Sequence, residues 1–246
     1  MSLIKEFGIQ LYSVRDVMES DFTGVLEKLG KKGMGYDCVE FAGFGGLSID
    51  EMKKVLAENG LKPLSSHTGI DQLLNNLDEE IAYQKAIGIE YIICPYAPMS
   101  SKTDVIALAK QLTPVMEKIT AAGMKFGYHN HAHEFVKDGG EYLMDIFFDN
   151  LPDGAVLELD IYWSEYAGVD SIAYMEKNKA RLELLHVKQI GKEKENAEVD
   201  KGLIDFADVI AKVKAMGVKH FILEQEEYEV SSMVSVENAI KYIRSL

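Results

Sequence analysis

The chain has 246 residues, 47% of them hydrophobic and 27% charged, which excludes a disordered protein and suits either two domains or one α/β barrel. A net charge of −14 at pH 7 argues against a nucleic-acid-binding surface, because phosphate contacts need a basic footprint. No signal peptide precedes Phe7 and no apolar run approaches the roughly 18 residues needed to span a membrane, so a cytoplasmic protein without a membrane partner is expected.

The first segment, Phe7 to Tyr12, reads as a strand, and Phe22 to Lys32 as a helix stopped by Gly33. Tyr36 to Phe41 is the second strand. Ser48 caps the helix that follows, through Asn59, with Glu51 completing a capping box and Gly60 as the stop. Leu61 to Ser66 is a third strand, followed by a helix from Leu77 to Ile87 that ends at Gly88. Tyr91 to Cys94 is the fourth, broken by Pro95, and Thr103 to Ala122 is a long helix in which Pro114 should mark a start or a kink. Met124 to His129 and Glu141 to Asn150 make a fifth pair, Ala155 to Leu159 and Ser171 to Asn178 a sixth. Leu182 to Val187 with Phe206 to Met216, and Lys219 to Leu223 with Val234 to Tyr242, complete the series.

Eight strand and helix units without a linker predict one domain over residues 1–246, an α/β fold of the (β/α)8 TIM barrel type. No strand runs into a G-x-G-x-x-G turn, which lowers the rival doubly wound sheet. Cys38 and Cys94 fall in strand-like runs and read as reduced core thiols.

In a barrel the active site is built at the C-terminal ends of the strands, and unusual polar residues gather there in this sequence. Gln10 and Tyr12 end the first strand, Glu40 the second and His67 the third. Asp160 ends the sixth, His186 and Lys188 the seventh, and Glu224 the eighth. The densest stretch is Gly127 to Phe135, which holds His129, His131, His133 and Glu134. Alternation along a strand points His129 and His131 the same way, with His133 joining them if the chain stays extended. Asp160, His186 and Glu224 with a fifth-strand ligand, His129 by position or Glu134 by a longer reach, form a nitrogen and oxygen set for one divalent ion such as Mn, Co, Zn or Mg. Two loops stand out: Ala42 to Gly46, rich in glycine, and the charged Gln189 to Leu203, a candidate lid.

Gly8 to Asp16, Tyr128 to His131 with Glu134 and Phe135, Leu159 to Trp163, His186 to Lys188 and Glu224 with Gln225 together resemble the xylose-isomerase-like barrel superfamily. In particular the chain resembles the sugar phosphate isomerases/epimerases, a grouping that includes inosose dehydratases and ketose 3-epimerases. The resemblance implies a divalent-metal-dependent isomerase or epimerase that abstracts a proton beside a carbonyl and passes through an enediolate. It carries Asp160, His186 and Glu224 over as metal ligands, and places His129 where many epimerases have a Glu. Trp163 stands where ketose epimerases place a substrate-binding His. These departures keep a dehydratase or lyase on a keto-sugar or inosose, and a non-catalytic sugar- or metal-binding barrel, as alternatives; a DNA-repair endonuclease of the same superfamily fits the acidic charge poorly. The base is sought in Glu134 or His131 and then Lys188, and substrate contacts in Gln10, Tyr12, Glu40, His67 and Trp163. A small carbohydrate is the expected partner, and barrels of this family often pair, which leaves a homodimer open.

Overall fold

The β-rich runs form eight strands: β1 (Gly8–Gln10), β2 (Cys38–Phe41), β3 (Lys62–His67), β4 (Tyr91–Cys94), β5 (Lys125–His129), β6 (Val156–Asp160), β7 (Leu182–Val187) and β8 (His220–Leu223). In this computed structural model, which describes residues 3–246, each strand lies parallel to the next and β8 returns to β1, closing a barrel. The principal helices outside it are α1 (Phe22–Leu29), α2 (Ile49–Asn59), α3 (Leu77–Ile87), α4 (Lys102–Ala121), α5 (Leu143–Asp149), α6 (Ser171–Asn178), α7 (Phe206–Met216) and α8 (Ser232–Ser245). The Ser48–Glu51 capping box forms, and Gly60 and Gly88 end their helices in the left-handed conformation that their lack of a side chain permits. No helix among the described residues is long and apolar enough to cross a membrane.

Alternation along each strand sorts the core into two parts. Outward residues such as Ile9, Val39, Ile92, Phe126, Leu157, Leu185 and Leu223 pack under the helices. Inward residues Cys38, Leu64, Tyr91, Ile93, Val156, Leu184 and Ile222 form a separate buried cluster. Farther along β6, β7 and β8 the same inward face carries Glu158, His186 and Glu224, so the lumen turns from apolar to polar toward the strand ends. Gly127 fits this crowding, since a Cβ there would come within 2.5 Å of Ile93 Cδ1 and 2.9 Å of the Val156 carbonyl. At the other end Glu183 accepts hydrogen bonds from Lys125 at 2.7 Å and Tyr91 at 2.8 Å and pairs with Lys219 at 2.9 Å.

Several local expectations change. Pro114 lies in the interior of α4 on its exposed face, where the loss of one helical donor is borne beside solvent. Helix α5 starts two residues later than the pattern suggests, because Glu141–Tyr142 pairs with Lys137–Asp138 across a Gly139–Gly140 turn of positive φ. The segment after β7 is a tied-down ribbon, Gln189–Ile190 against Asn196–Ala197. Gln189 Nε2 donates to the carbonyls of Val199 and Ile204, and Asn196 Oδ1 accepts from the Glu226 amide, so the candidate lid is anchored at both ends. Cys38 and Cys94 are buried free thiols.

Candidate metal centre

The register between strands places the polar residues before any side-chain contact is considered. His129 stands opposite Glu158 in the β5–β6 pairing, and Asp160 opposite His186 in the β6–β7 pairing. Glu40 is paired with Gln10 on β1, and Glu224 directly follows β8. All of these side chains are buried.

Two overlapping donor groups result. His129, Asp160, His186 and Glu224 each bring a ligand atom within 4.8 Å of the others, and so do His67, His129, Glu158 and His186. In the first group His186 Nδ1 lies 3.1 Å from Glu224 Oε2. Lys188 Nζ approaches Glu224 at 3.3 Å and Asp160 at 3.7 Å, and it also contacts Glu226. In the second group Glu158 Oε2 meets His67 Nε2 at 2.8 Å, His129 Nδ1 at 3.4 Å and His186 Nε2 at 3.5 Å. Glu40 Oε1 sits 2.7 Å from His186 Nε2, 3.2 Å from His67 Nε2, and accepts from Gln10 Nε2 at 2.8 Å.

Burial and close charge decide the protonation states. Burial pushes Asp160 up to about 7 against the pull of Lys188. Burial also opposes the charge on Glu224, yet Lys188 and His186 hold it well below the carboxylate range. Glu40 is raised by burial and by the neighbouring Glu158, whereas His186 and the other imidazoles hold Glu158 well below its usual value. Burial would lower His186, but Glu158 and Glu40 hold it well above the usual imidazole value. His129 is driven well below that value, chiefly by burial. Asp160 Oδ2, His129 Nδ1, Glu158 Oε1 and Glu40 Oε2 are buried without a hydrogen-bond partner. Orphaned buried donors and acceptors of this kind are costly unless something binds them.

A cleft of about 460 Å³ opens over the centre, lined by Tyr12, His67, His129, His131, Glu224 and Glu226 among others. His131 Nδ1 has no partner, and burial lowers that imidazole to about 4. Trp163 packs on His131 with ring centroids 5.1 Å apart, and Lys188 Nζ lies 5.1 Å from the Trp163 ring and 5.2 Å from Tyr162. Phe44 packs between Phe41 and Tyr83, away from the cleft lining. The glycines around it take positive φ at Gly43, Gly45 and Gly46, which accounts for the Ala42 to Gly46 composition as a turn.

Two residues of the histidine-rich stretch stand apart. The strand ends at His129, and Asn130 ties across to the Asp160 backbone with bonds of 2.9 and 3.2 Å. The chain then curls, so His133 leaves the common face and its Nε2 lies 3.0 Å from the Ala97 carbonyl. Glu134 is buried in this turn, with Oε1 taking the Tyr128 hydroxyl at 2.9 Å and Oε2 the His131 amide at 2.8 Å; it belongs to neither donor group. Sequence reasoning passed over Glu158 and Glu226. Glu158 lies two residues before Asp160 and therefore on the same strand face, which was the available signal.

A closed parallel barrel with imidazoles and carboxylates at its strand ends defines the class, and the chain belongs to the xylose isomerase-like TIM barrel family, which matches residues 32–246. Among solved structures it is similar to a sugar phosphate isomerase/epimerase from Parabacteroides distasonis ATCC 8503, with 23% identity, 98% of this chain and 94% of that one covered, and a TM-score of 0.82. A 3-keto-D-glucoside 4-epimerase from E. coli is 16% identical over 98% of this chain and 99% of its own, with a TM-score of 0.76. The IOLI protein, whose structure carries a zinc atom, is 14% identical over 98% of each chain, also with a TM-score of 0.76. No curated protein sequence matches the chain.

Proposed function

We propose that the protein is a divalent-metal-dependent isomerase or epimerase of a sugar or sugar phosphate, working by proton abstraction beside a carbonyl through an enediolate. The observation that carries this reading is the convergence of His129, Asp160, His186 and Glu224 from the ends of four successive strands beneath an open cleft. Mixed imidazole and carboxylate donors suit Mn, Co, Zn or Mg, and the unpartnered Asp160 Oδ2 and His129 Nδ1 fit a site that an ion completes. When bound, the ion supplies a Lewis acid that polarises the carbonyl and stabilises negative charge on the enediolate.

The remaining work falls to the protein's own groups. Neutral His131, with Nδ1 unpartnered beside the cleft, takes the proton from carbon. Lys188 keeps its proton because Glu224, Asp160 and Glu226 surround it, and so donates to a developing oxyanion. Tyr12 and Trp163 offer aromatic surface to sugar C–H groups, while Gln10 and Glu40 orient His186 from behind. The sugar isomerase and epimerase names among similar structures support the class. Elimination from a keto-sugar or inosose shares the first proton transfer, and the Lys188 ammonium suits protonation of a leaving hydroxyl, which keeps a lyase as the second reading.

Metal-loaded protein incubated with a panel of keto-sugars in D2O tests the proposal. Deuterium should enter the carbon next to the carbonyl, and His131→Ala should slow its entry by roughly 10²–10⁴-fold. If no sugar exchanges under any metal, the protein is a binder and the catalytic reading fails.

A further inference from the structure

Beside the cleft over the donor residues lies a second cavity, of about 570 Å³, bordered by the segment that joins β1 to α1 and by the turn after β2. Tyr12 and Ala42 line both spaces, so the two adjoin along these residues. Each has the size of a small-molecule site, roughly 300–1,000 Å³. The proton transfer proposed above takes place in the cleft and leaves the neighbouring cavity without a use.

Two features fix the walls of this cavity. Gly45 packs so closely on Phe22 that a Cβ would come within 2.5 Å of the ring, and its positive φ favours glycine as well. The Arg15 guanidinium lies 4.3 Å from the centroid of the Tyr12 ring. It donates to the carbonyls of Tyr12 and Glu226 at 3.0 and 3.1 Å and to the Tyr228 hydroxyl at 2.9 Å. These acceptors are uncharged, so they hold the side chain in place while part of its planar fork remains able to donate.

The lining then combines apolar surface with hydrogen-bonding groups of both kinds. Phe22 and Tyr12 supply aromatic area, Arg15 donates, and the exposed Glu19 carboxylate accepts. Ser20 gives its hydroxyl proton to the Val17 carbonyl at 3.1 Å and keeps lone pairs to accept with. Donors and acceptors beside apolar surface match a ring that carries hydroxyls at its edge and C–H groups on its face. An anionic substituent fits less well, because Glu19 on the same lining repels it.

We propose that the substrate is a glycoside: the sugar ring that reacts sits in the cleft, and a second, uncharged glycosyl ring lies across Tyr12 in the cavity of Arg15, Glu19 and Phe22. The inference rests on the function proposed above for the cleft and adds a second subsite to it.

The test titrates Zn²⁺-loaded full-length protein with the keto-disaccharides lactulose, maltulose and isomaltulose, and with D-fructose and D-fructose 6-phosphate. Saturation-transfer difference NMR reads both the affinity and which ring of each sugar touches the protein. At least one disaccharide should bind tenfold or more tightly than fructose, with saturation reaching both rings; one hydrogen bond to a charged group accounts for a gap of this size. Ser20→Tyr, which narrows the cavity, should bring the ratio to about one and remove saturation from the distal ring. Circular dichroism confirms that the variant is folded.

Equal affinity for fructose and the disaccharides, with saturation confined to the ketose ring, overturns the second subsite and leaves the proposed function standing. Tightest binding by fructose 6-phosphate, with that preference lost in Arg15→Gln, overturns the neutral ring in favour of an anion. Saturation of both rings without deuterium exchange in D2O supports the subsite and overturns the proposed catalysis. Absence of saturation in every sugar overturns both.

Discussion

Asp160 and His186 stand opposite one another across the β6–β7 pairing, so the backbone ladder itself brings a carboxylate and an imidazole together at the barrel mouth. Both side chains are fully buried, and each belongs to the group of four donors that would hold the proposed ion. Asp160→Asn or His186→Ala should therefore remove that ion, with metal retention after dialysis falling at least 100-fold. Unchanged retention would put the ion elsewhere.

The same pair sets a pH dependence. Asp160 is raised to about 7 in the metal-free protein, so below that pH a cation must displace a proton to bind. His186 is also held protonated by Glu158 and Glu40, so affinity should climb by up to a hundredfold per unit below about 7 and by up to tenfold per unit above it, as measured by competition with a chromophoric chelator from pH 5.5 to 8.5. An Asp160→Asn variant that still binds metal weakly should lack the break near 7.

Lys188 is almost wholly buried against Asp160, Glu224 and Glu226. Replacing it with Met keeps the stem but strands the carboxylates, at a cost of about 3–5 kcal/mol in the metal-free protein. Urea unfolding should show the loss, and added metal should recover part of it. A variant as stable as the parent would mean that these carboxylates are protonated or solvated instead.

Glu183 closes the opposite end, where Lys125, Lys219 and the Tyr91 hydroxyl hold it down to about 2 although burial opposes this. A depressed carboxylate stabilises the fold fully above its unfolded value near 4.5, and the contribution disappears as pH falls from there to about 2. After allowance for screening by solvent the contribution is about 1–2 kcal/mol. Glu183→Gln should lower stability by this amount at pH 7, become indistinguishable from the parent near pH 2, and leave metal stoichiometry untouched.

Gly127 has no room for a methyl group beside Ile93 Cδ1 and the Val156 carbonyl. Gly127→Ala should cost about 1–3 kcal/mol, because both neighbours lie in the packed lumen. Thermal unfolding would register this, and an unchanged melting temperature would show that β4 and β6 yield easily.

Much of this architecture could be read from residue order, and the reasons are local. Leu77–Ile87, Ser171–Asn178, Leu182–Val187 and Phe206–Met216 have the bounds their periodicity and flanking residues imply. His129, Asp160, His186 and Glu224 could be named in advance because each ends a strand, and strand ends of a barrel converge. Glu134 and His133 escaped that logic, since the chain leaves the strand at Asn130 and sequence spacing no longer reports direction. Glu158 was hidden for the opposite reason, lying inside an apolar strand where its inward face shows only when alternation is counted from Asp160. The Gln189 to Leu203 ribbon depends on Asn196 and Gln225 bonding across segments roughly thirty residues apart, which no local pattern carries.

The apolar cluster of Cys38, Leu64, Tyr91, Ile93, Val156, Leu184 and Ile222 makes the lumen a blind-ended well. On the opposite side of the donor residues from that cluster, the cleft bordered by Tyr12, Tyr96 and Glu226 opens over them. A molecule seated in that cleft shields the donor residues beneath it from bulk water, so a single bound ligand strengthens the electrostatic coupling among them.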